Sequence, residues 1–130
     1  TLTGGEGKDS FVINVASLNS SSYATITDIQ QGETIKFTGA DSFQAARVTL
    51  ADTAVFQDYV NAAMNSLDTT TSGDDMLAWF QYLGNTYIVM DEKTTDSTSF
   101  VNGEDMVVKI SGLVDLSTAS FNSGGFIQVC

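Results

Sequence analysis

Residues 4–12, Gly4-Gly5-Glu6-Gly7-Lys8-Asp9-Ser10-Phe11-Val12, satisfy every defining position of the nonapeptide Gly-Gly-x-Gly-x-Asp-x-U-x, where U is a large apolar residue. Glycines at 4, 5 and 7 let the backbone turn tightly and aim carbonyl oxygens inward, and Asp9 adds a carboxylate. Such a donor set suits a hard cation that takes roughly six to eight oxygens, which makes Ca2+ the expected cofactor. Phe11 then enters a short strand and points at a core. In arrays of this kind each ion sits between two stacked turns, so one repeat carries only part of a site.

The elements that must position this turn have a modest chain to draw on. Its 130 residues, 42% hydrophobic, suffice for one domain with a real core. Eleven glycines and no proline, with abundant Ser, Thr, Asp and Asn, indicate many turns. Sixteen acidic residues against five basic ones give a formal charge of -11. That balance argues against a phosphate-binding surface, so nucleic acid is not an expected partner. Divalent cations are, because they relieve the self-repulsion of so acidic a fold. The lone cysteine, Cys130, allows neither an internal disulfide nor a site built from several cysteines. No apolar run is long enough to span a bilayer. A weak calcium module would be empty in the cytosol and filled outside, which points to an extracellular setting.

Along the chain, residues 1–15 hold the repeat and its strand, with Phe11 and Ile13 alternating against Val12 and Asn14. Residues 17–22 read as a Ser-rich loop. Two strands, 23–29 and 34–37, flank the turn Gln30-Gln31-Gly32-Glu33, and a third candidate covers 46–50. From Asp52, a good N-cap, the apolar residues Val55, Phe56, Tyr59, Val60, Ala63, Met64 and Leu67 recur at helical spacing. A polar breaker, 68–75, ends the helix. Strands 76–82 and 86–90 form a hairpin about Gly84-Asn85, and residues 91–97 form a polar loop. Phe100-Val101, the turn 102–105 and the strand 106–110 follow, then a tail closing on Phe126-Ile127-Gln128-Val129.

Several segments resemble one family at once. Residues 1–13 resemble the last calcium repeat of repeats-in-toxin (RTX) proteins, and residues 26–37 resemble the segment after that repeat in serralysin-like C-terminal domains. Trp79-Phe80-Gln81-Tyr82 with residues 84–89, then residues 103–116, resemble the terminal region of type I secreted RTX proteins, bacterial surface-layer (S-layer) proteins included. The resemblance implies a mainly β fold, the end of a parallel β-roll running into a β-sandwich-like C-terminal domain with one packed helix. It implies calcium held by carbonyls of Gly4, Glu6 or Gly7 and by Asp9, with Asp28 and Glu33 closing the final site. Glu33 and Ile29 stand where Asp and Phe are usual. The family's export information lies at the extreme C-terminus, which maps to residues 115–129 and in particular to Asp115, Leu116, Phe121, Phe126, Ile127 and Val129.

Other chemistry is set aside. The absence of histidine removes Ser-His-Asp and Cys-His arrangements and histidine-rich metal sites. Asp74-Asp75 and Glu104-Asp105 read as solvated turn carboxylates rather than a glycosidase pair, and Asp91, Glu92 and Asp96 lack EF-hand spacing. Trp79, Phe80, Tyr82 and Tyr87 could form a carbohydrate platform, but core packing is the expectation. The reading is therefore a non-catalytic module, residues 1–15 being the last repeat and 16–130 the capping and secretion region of one domain. It is expected to be the C-terminal piece of a longer exported protein, first of all an S-layer protein. The alternatives are the tail of a secreted serralysin-like metalloprotease or other RTX enzyme, and an adhesive or lattice-contact module. Expected partners are the type I secretion machinery, with copies of itself or cell-surface polymers as further candidates, at the cell surface or in the medium.

Overall fold

A computed structural model describes residues 1–13, 24–67, 75–91, 105–122 and 124–130. The expected loops at 17–22 and 92–97, most of the breaker 68–75, and the Phe100-Val101 segment with its turn lie outside these residues. The described chain is mainly β. Its elements in order are β1 (Ser10–Ile13), β2 (Ala24–Ile26), β3 (Thr34–Phe37), β4 (Ser42–Phe43), α1 (Phe56–Leu67), β5 (Met76–Tyr82), β6 (Asn85–Asp91), β7 (Met106–Ile110), β8 (Ser120–Asn122) and β9 (Phe126–Gln128).

The strands form two mixed sheets. One runs β1-β3-β9-β8 and the other β2-β7-β6-β5-β4. Pairing is parallel for β1/β3, β2/β7 and β4/β5, and antiparallel for the rest. Phe11, Ile35, Phe37 and Ile127 of the first sheet pack against Trp79, Ile88, Met90, Val108 and Ile110 of the second, and Leu116 joins them. The helix covers the other face of the second sheet, where Val60, Ala63 and Met64 meet Ala78, Phe80, Tyr87, Val89 and Val107. Ring contacts tighten that layer. Tyr59 stacks on Phe80 and Phe80 on Tyr87, with centroids 5.1 and 5.3 Å apart, and the Phe56 ring meets Tyr87 edge-on at 4.9 Å.

This three-layer arrangement explains why the aromatic hairpin does not alternate in burial. Trp79 faces the partner sheet and Phe80 faces the helix, so both are buried, and β6 is buried from Thr86 to Asp91. Asp91 and Asp105, read as solvated, are buried as well, because they sit at the ends of these doubly covered strands.

Three local expectations are corrected. The strands around Gln30–Glu33 do not pair with each other: β2 joins β7 in one sheet, and β3 joins β1 and β9 in the other. Residues 46–50 form no strand, since pairing beside β5 is taken by β4 and then by a single bridge at Val48. The helix starts later than Asp52. Val55 is its exposed cap, with the Val55 amide donating to the Asp58 carboxylate at 3.0 Å, the reach-back half of a capping box.

The hairpin turn also sits one residue earlier than expected. Tyr82 pairs with Asn85, which leaves Leu83 and Gly84 as a two-residue turn with φ of 47° and 80°. Two positive φ values define the turn type whose twist suits a hairpin, but Leu83 is a poor residue for it and is 81% exposed. Leu83→Asn should therefore stabilise the domain by about 1 kcal/mol, read as a higher urea midpoint at unchanged m-value. A lower midpoint would show that the Leu83 backbone carries no strain.

The two apolar layers involve no ion. Cooperative thermal unfolding should persist in chelator, and Phe80→Ala should reduce stability by about 3–5 kcal/mol under the same conditions. A wild-type chain that is disordered without divalent cations would overturn this account of the core.

Candidate metal centre

The first strand-forming segment lies directly on the second at a constant separation of 24 residues. Leu2 bridges Ile26, exchanging backbone hydrogen bonds with Thr25 and Thr27, and the Thr3 and Thr27 hydroxyls meet at 2.7 Å. Further on, Ser10 pairs with Thr34 and Ile13 with Phe37, and the Thr34 hydroxyl donates to Ser10 Oγ at 3.0 Å. Residues 1–13 and 25–37 are thus successive rungs. Each leaves the edge of one sheet, turns, and enters the other sheet.

Between those fixed ends the two turns stack. The Gly4 and Gly5 amides donate to Oδ1 and Oδ2 of Asp28, both at 2.9 Å. These two N–H groups, Gly4 first, hold the Asp28 carboxyl below the usual aspartate value. Asp9 folds back over Gly4, where a Cβ would lie 2.5 Å from Asp9 Oδ2, so only glycine leaves room for it. The Asp9 carbonyl accepts the Thr34 amide at 3.1 Å, which starts the β1/β3 ladder.

Asp9 and Glu33 occupy equivalent places, one residue before the Ser10–Thr34 pair. In-register neighbours on parallel strands sit about 4.8 Å apart and leave the same face. Phe11, Ile13, Ile35 and Phe37 continue that face into the core. Glu33 is 1% exposed. Its Oε2 accepts the Gln30 amide at 2.6 Å, whereas Oε1 is buried without a hydrogen-bond partner, as is Asp9 Oδ2. Two unpartnered carboxylate oxygens at the edge of a core are costly unless a cation meets them. The donor chemistry fits calcium, which would need the turn's backbone carbonyls to complete its set, since among the described residues no group of three or more His, Cys, Asp or Glu side chains converges.

Gly4 therefore meets both Asp9 and Asp28, Asp28 organises the glycine turn, and Glu33 stands at the place equivalent to Asp9 on the paired rung. Glu6 and Gly7 lie at the exposed crest of the glycine turn. Lys8, which sequence reasoning passed over, lies across Gly32, with Cε 3.2 Å and Nζ 3.4 Å from where a Cβ would be. Sequence reasoning also missed the role of the last strand. The Gly32 amide donates to the Val129 carbonyl at 2.7 Å, and the Val129 amide donates to the Glu33 carbonyl at 3.0 Å. The end of the chain clamps the second turn.

The segment expected to carry export information is packed. Leu116, Ile127 and Val129 are buried, and Phe121 and Phe126 are half-buried in β8 and β9, the latter beneath Lys36 Nζ at 5.1 Å. Asp115 is exposed and accepts both the hydroxyl and the amide of Ser117, which lower its pKa. No protein-family model matches the chain, and no curated protein matches it. Among the described residues no helix is long and apolar enough to cross a membrane.

Because the folded Asp28 pKa is depressed, its stabilisation of the turn is complete above the ordinary aspartate value of about 3.9 and is lost as pH falls through the lower folded value. Amide exchange at Gly4 and Gly5 should be slowed at neutral pH, relative to Asp28→Ala, and that difference should vanish in acid. Equal exchange in both proteins at neutral pH would remove Asp28 from this role.

Proposed function

We propose that the chain is a non-catalytic, calcium-binding module of an exported RTX-type protein, of the S-layer kind, which ends a parallel β-roll, directs type I secretion and completes its fold outside the cell. The observation that carries the calcium reading is the pair of buried, unpartnered oxygens, Asp9 Oδ2 and Glu33 Oε1, on adjacent rungs. Bound calcium supplies the positive charge that this pair lacks. The chain's own residues do the rest. Asp28 holds the glycine turn, Gly4 leaves space for Asp9, and Val129 fixes the backbone of the Glu33 turn.

The export reading draws on the resemblance of residues 103–116 and on the position of the clamp. A type I channel passes an extended chain, so the C-terminal segment has to be read before it packs. At low calcium the unpartnered Asp9 and Glu33 oxygens weaken the turn contacts that Val129 makes once the chain has folded, while Ile127 stays in the ion-independent core. At extracellular calcium the same contacts tighten.

Calorimetry on the intact chain should show calcium binding that Asp9→Ala and Glu33→Gln each weaken about tenfold or more. Removal of residues 126–130 should weaken it too. Binding indifferent to both substitutions would place the ion elsewhere. For export, a parent protein lacking residues 115–130 should stay inside the cell, and its normal secretion would remove the secretion role while leaving the calcium site standing.

A further inference from the structure

A cleft away from the stacked turns lies beside β5, between the residues around Arg47 and those around Asp115. It has a volume of about 410 Å3 and is lined by Arg47, Thr49, Trp79, Gln81, Asp115 and Ser117. This size falls within the roughly 300–1,000 Å3 of small-molecule sites. A second depression shares Arg47, Thr49 and Gln81 and extends the trough to Asp52 and Tyr59.

Both walls are fixed to β5 and β6. On one side the Gln44 and Val48 amides donate to the Leu77 and Trp79 carbonyls, and the Trp79 indole N–H donates to the Ala45 carbonyl at 2.8 Å. On the other, the Val114 amide donates to Thr86 Oγ1 at 2.8 Å, and Gln81 Nε2 donates to the Val114 carbonyl at 3.1 Å. Gln81 also ties the walls together, accepting Arg47 Nη1 at 2.5 Å.

The polar groups are set in a particular balance. Arg47, the sole arginine of the chain, uses one of its five N–H donors on Gln81 and makes no other side-chain hydrogen bond among the described residues. Asp115 accepts the Ser117 contacts on Oδ1 alone, which leaves Oδ2 as an acceptor at the rim. Thr49 and Ser117 add hydroxyls. Fixed donors and a fixed carboxylate acceptor therefore face one opening, the arrangement that suits groups which both donate and accept, as sugar hydroxyls do. Arg47 offsets Asp115, so that with Asp52 at its far end the trough holds one net negative charge and no cluster of carboxylates for a cation, while the chain's formal charge of -11 opposes an anion. Trp79 is 1% exposed and supplies a floor, not a stacking platform.

We propose that this trough is a binding site for a neutral saccharide, anchored by Arg47 and Asp115. It belongs to the same surface reading as a cell-surface polymer partner and is independent of the calcium site.

The test is an NMR titration of the intact, calcium-supplemented chain with maltotriose, cellotriose and N-acetylchitotriose, and with trigalacturonic acid as an anionic control. At least one neutral sugar should shift the Trp79 indole, Gln81 side-chain and Ser117 amide signals. Arg47→Ala and Asp115→Asn should each weaken binding about tenfold with the thermal midpoint little changed. Asp9→Ala should leave sugar binding as it is, which separates failure here from failure of the calcium site. No shift with any neutral trisaccharide, response to the uronic acid alone, or binding indifferent to both cleft variants would overturn the proposal.

Discussion

The structure depends on the parallel stacking of residues 1–13 on residues 25–37. Leu2 on Ile26 at one end and Ile13 on Phe37 at the other fix the two segments as rungs, and everything between them is forced into register. That register sets Asp9 beside Glu33 and brings Asp28 to the Gly4 and Gly5 amides. It also links the two sheets twice along the same side, so both turns lie at one side of the sandwich. A parallel pair has no tight hairpin to hold it. Its stability comes from the core beneath Phe11, Ile35 and Phe37, together with whatever charge meets the two carboxylates.

That core is supported from a second direction. The antiparallel strands β5, β6 and β7 carry large apolar residues on both faces, which works only because α1 covers one face and the first sheet covers the other. The β5–β6 hairpin is thus a platform independent of the turn chemistry. The stacked rungs and the cleft beside Arg47 use different strands and share no side chain. Strand β9 connects the platform to the turns, since Ile127 packs in the core while Val129 holds the backbone of Gly32 and Glu33.

Much of the architecture could be read from periodicity. The helix was legible because Phe56, Tyr59, Val60, Ala63 and Met64 keep helical spacing with polar residues between them. Strands β3, β5 and β7 were legible as apolar, β-branched and aromatic runs between turn residues. The second rung was not recognised as a repeat. Thr1-Leu2-Thr3 and Thr25-Ile26-Thr27 match, as do Asp9-Ser10-Phe11 and Glu33-Thr34-Ile35, but Asp28, Ile29 and Gln31 stand where the first rung has glycine. A search for glycine spacing passes over such a turn. Asp28 and Glu33 entered the candidate site through resemblance, and their geometric partners came from the fold.

Local chemistry alone determined that Gly4 to Asp9 would make a tight, oxygen-rich turn, that a strand would follow it with Phe11 and Ile13 inward, and that a single amphipathic helix would cover a β core. These features rest on neighbours within a few residues, where backbone freedom and side-chain period act directly. Tertiary structure decided which strands would pair, that β2 and β3 would part into different sheets, that Asp91 and Asp105 would be buried, and that Val129 would clamp a turn almost a hundred residues earlier. The physical reason is that strand pairing and burial are settled by competition among distant surfaces for the same core. Two runs with the same alternation are interchangeable until the whole chain has packed.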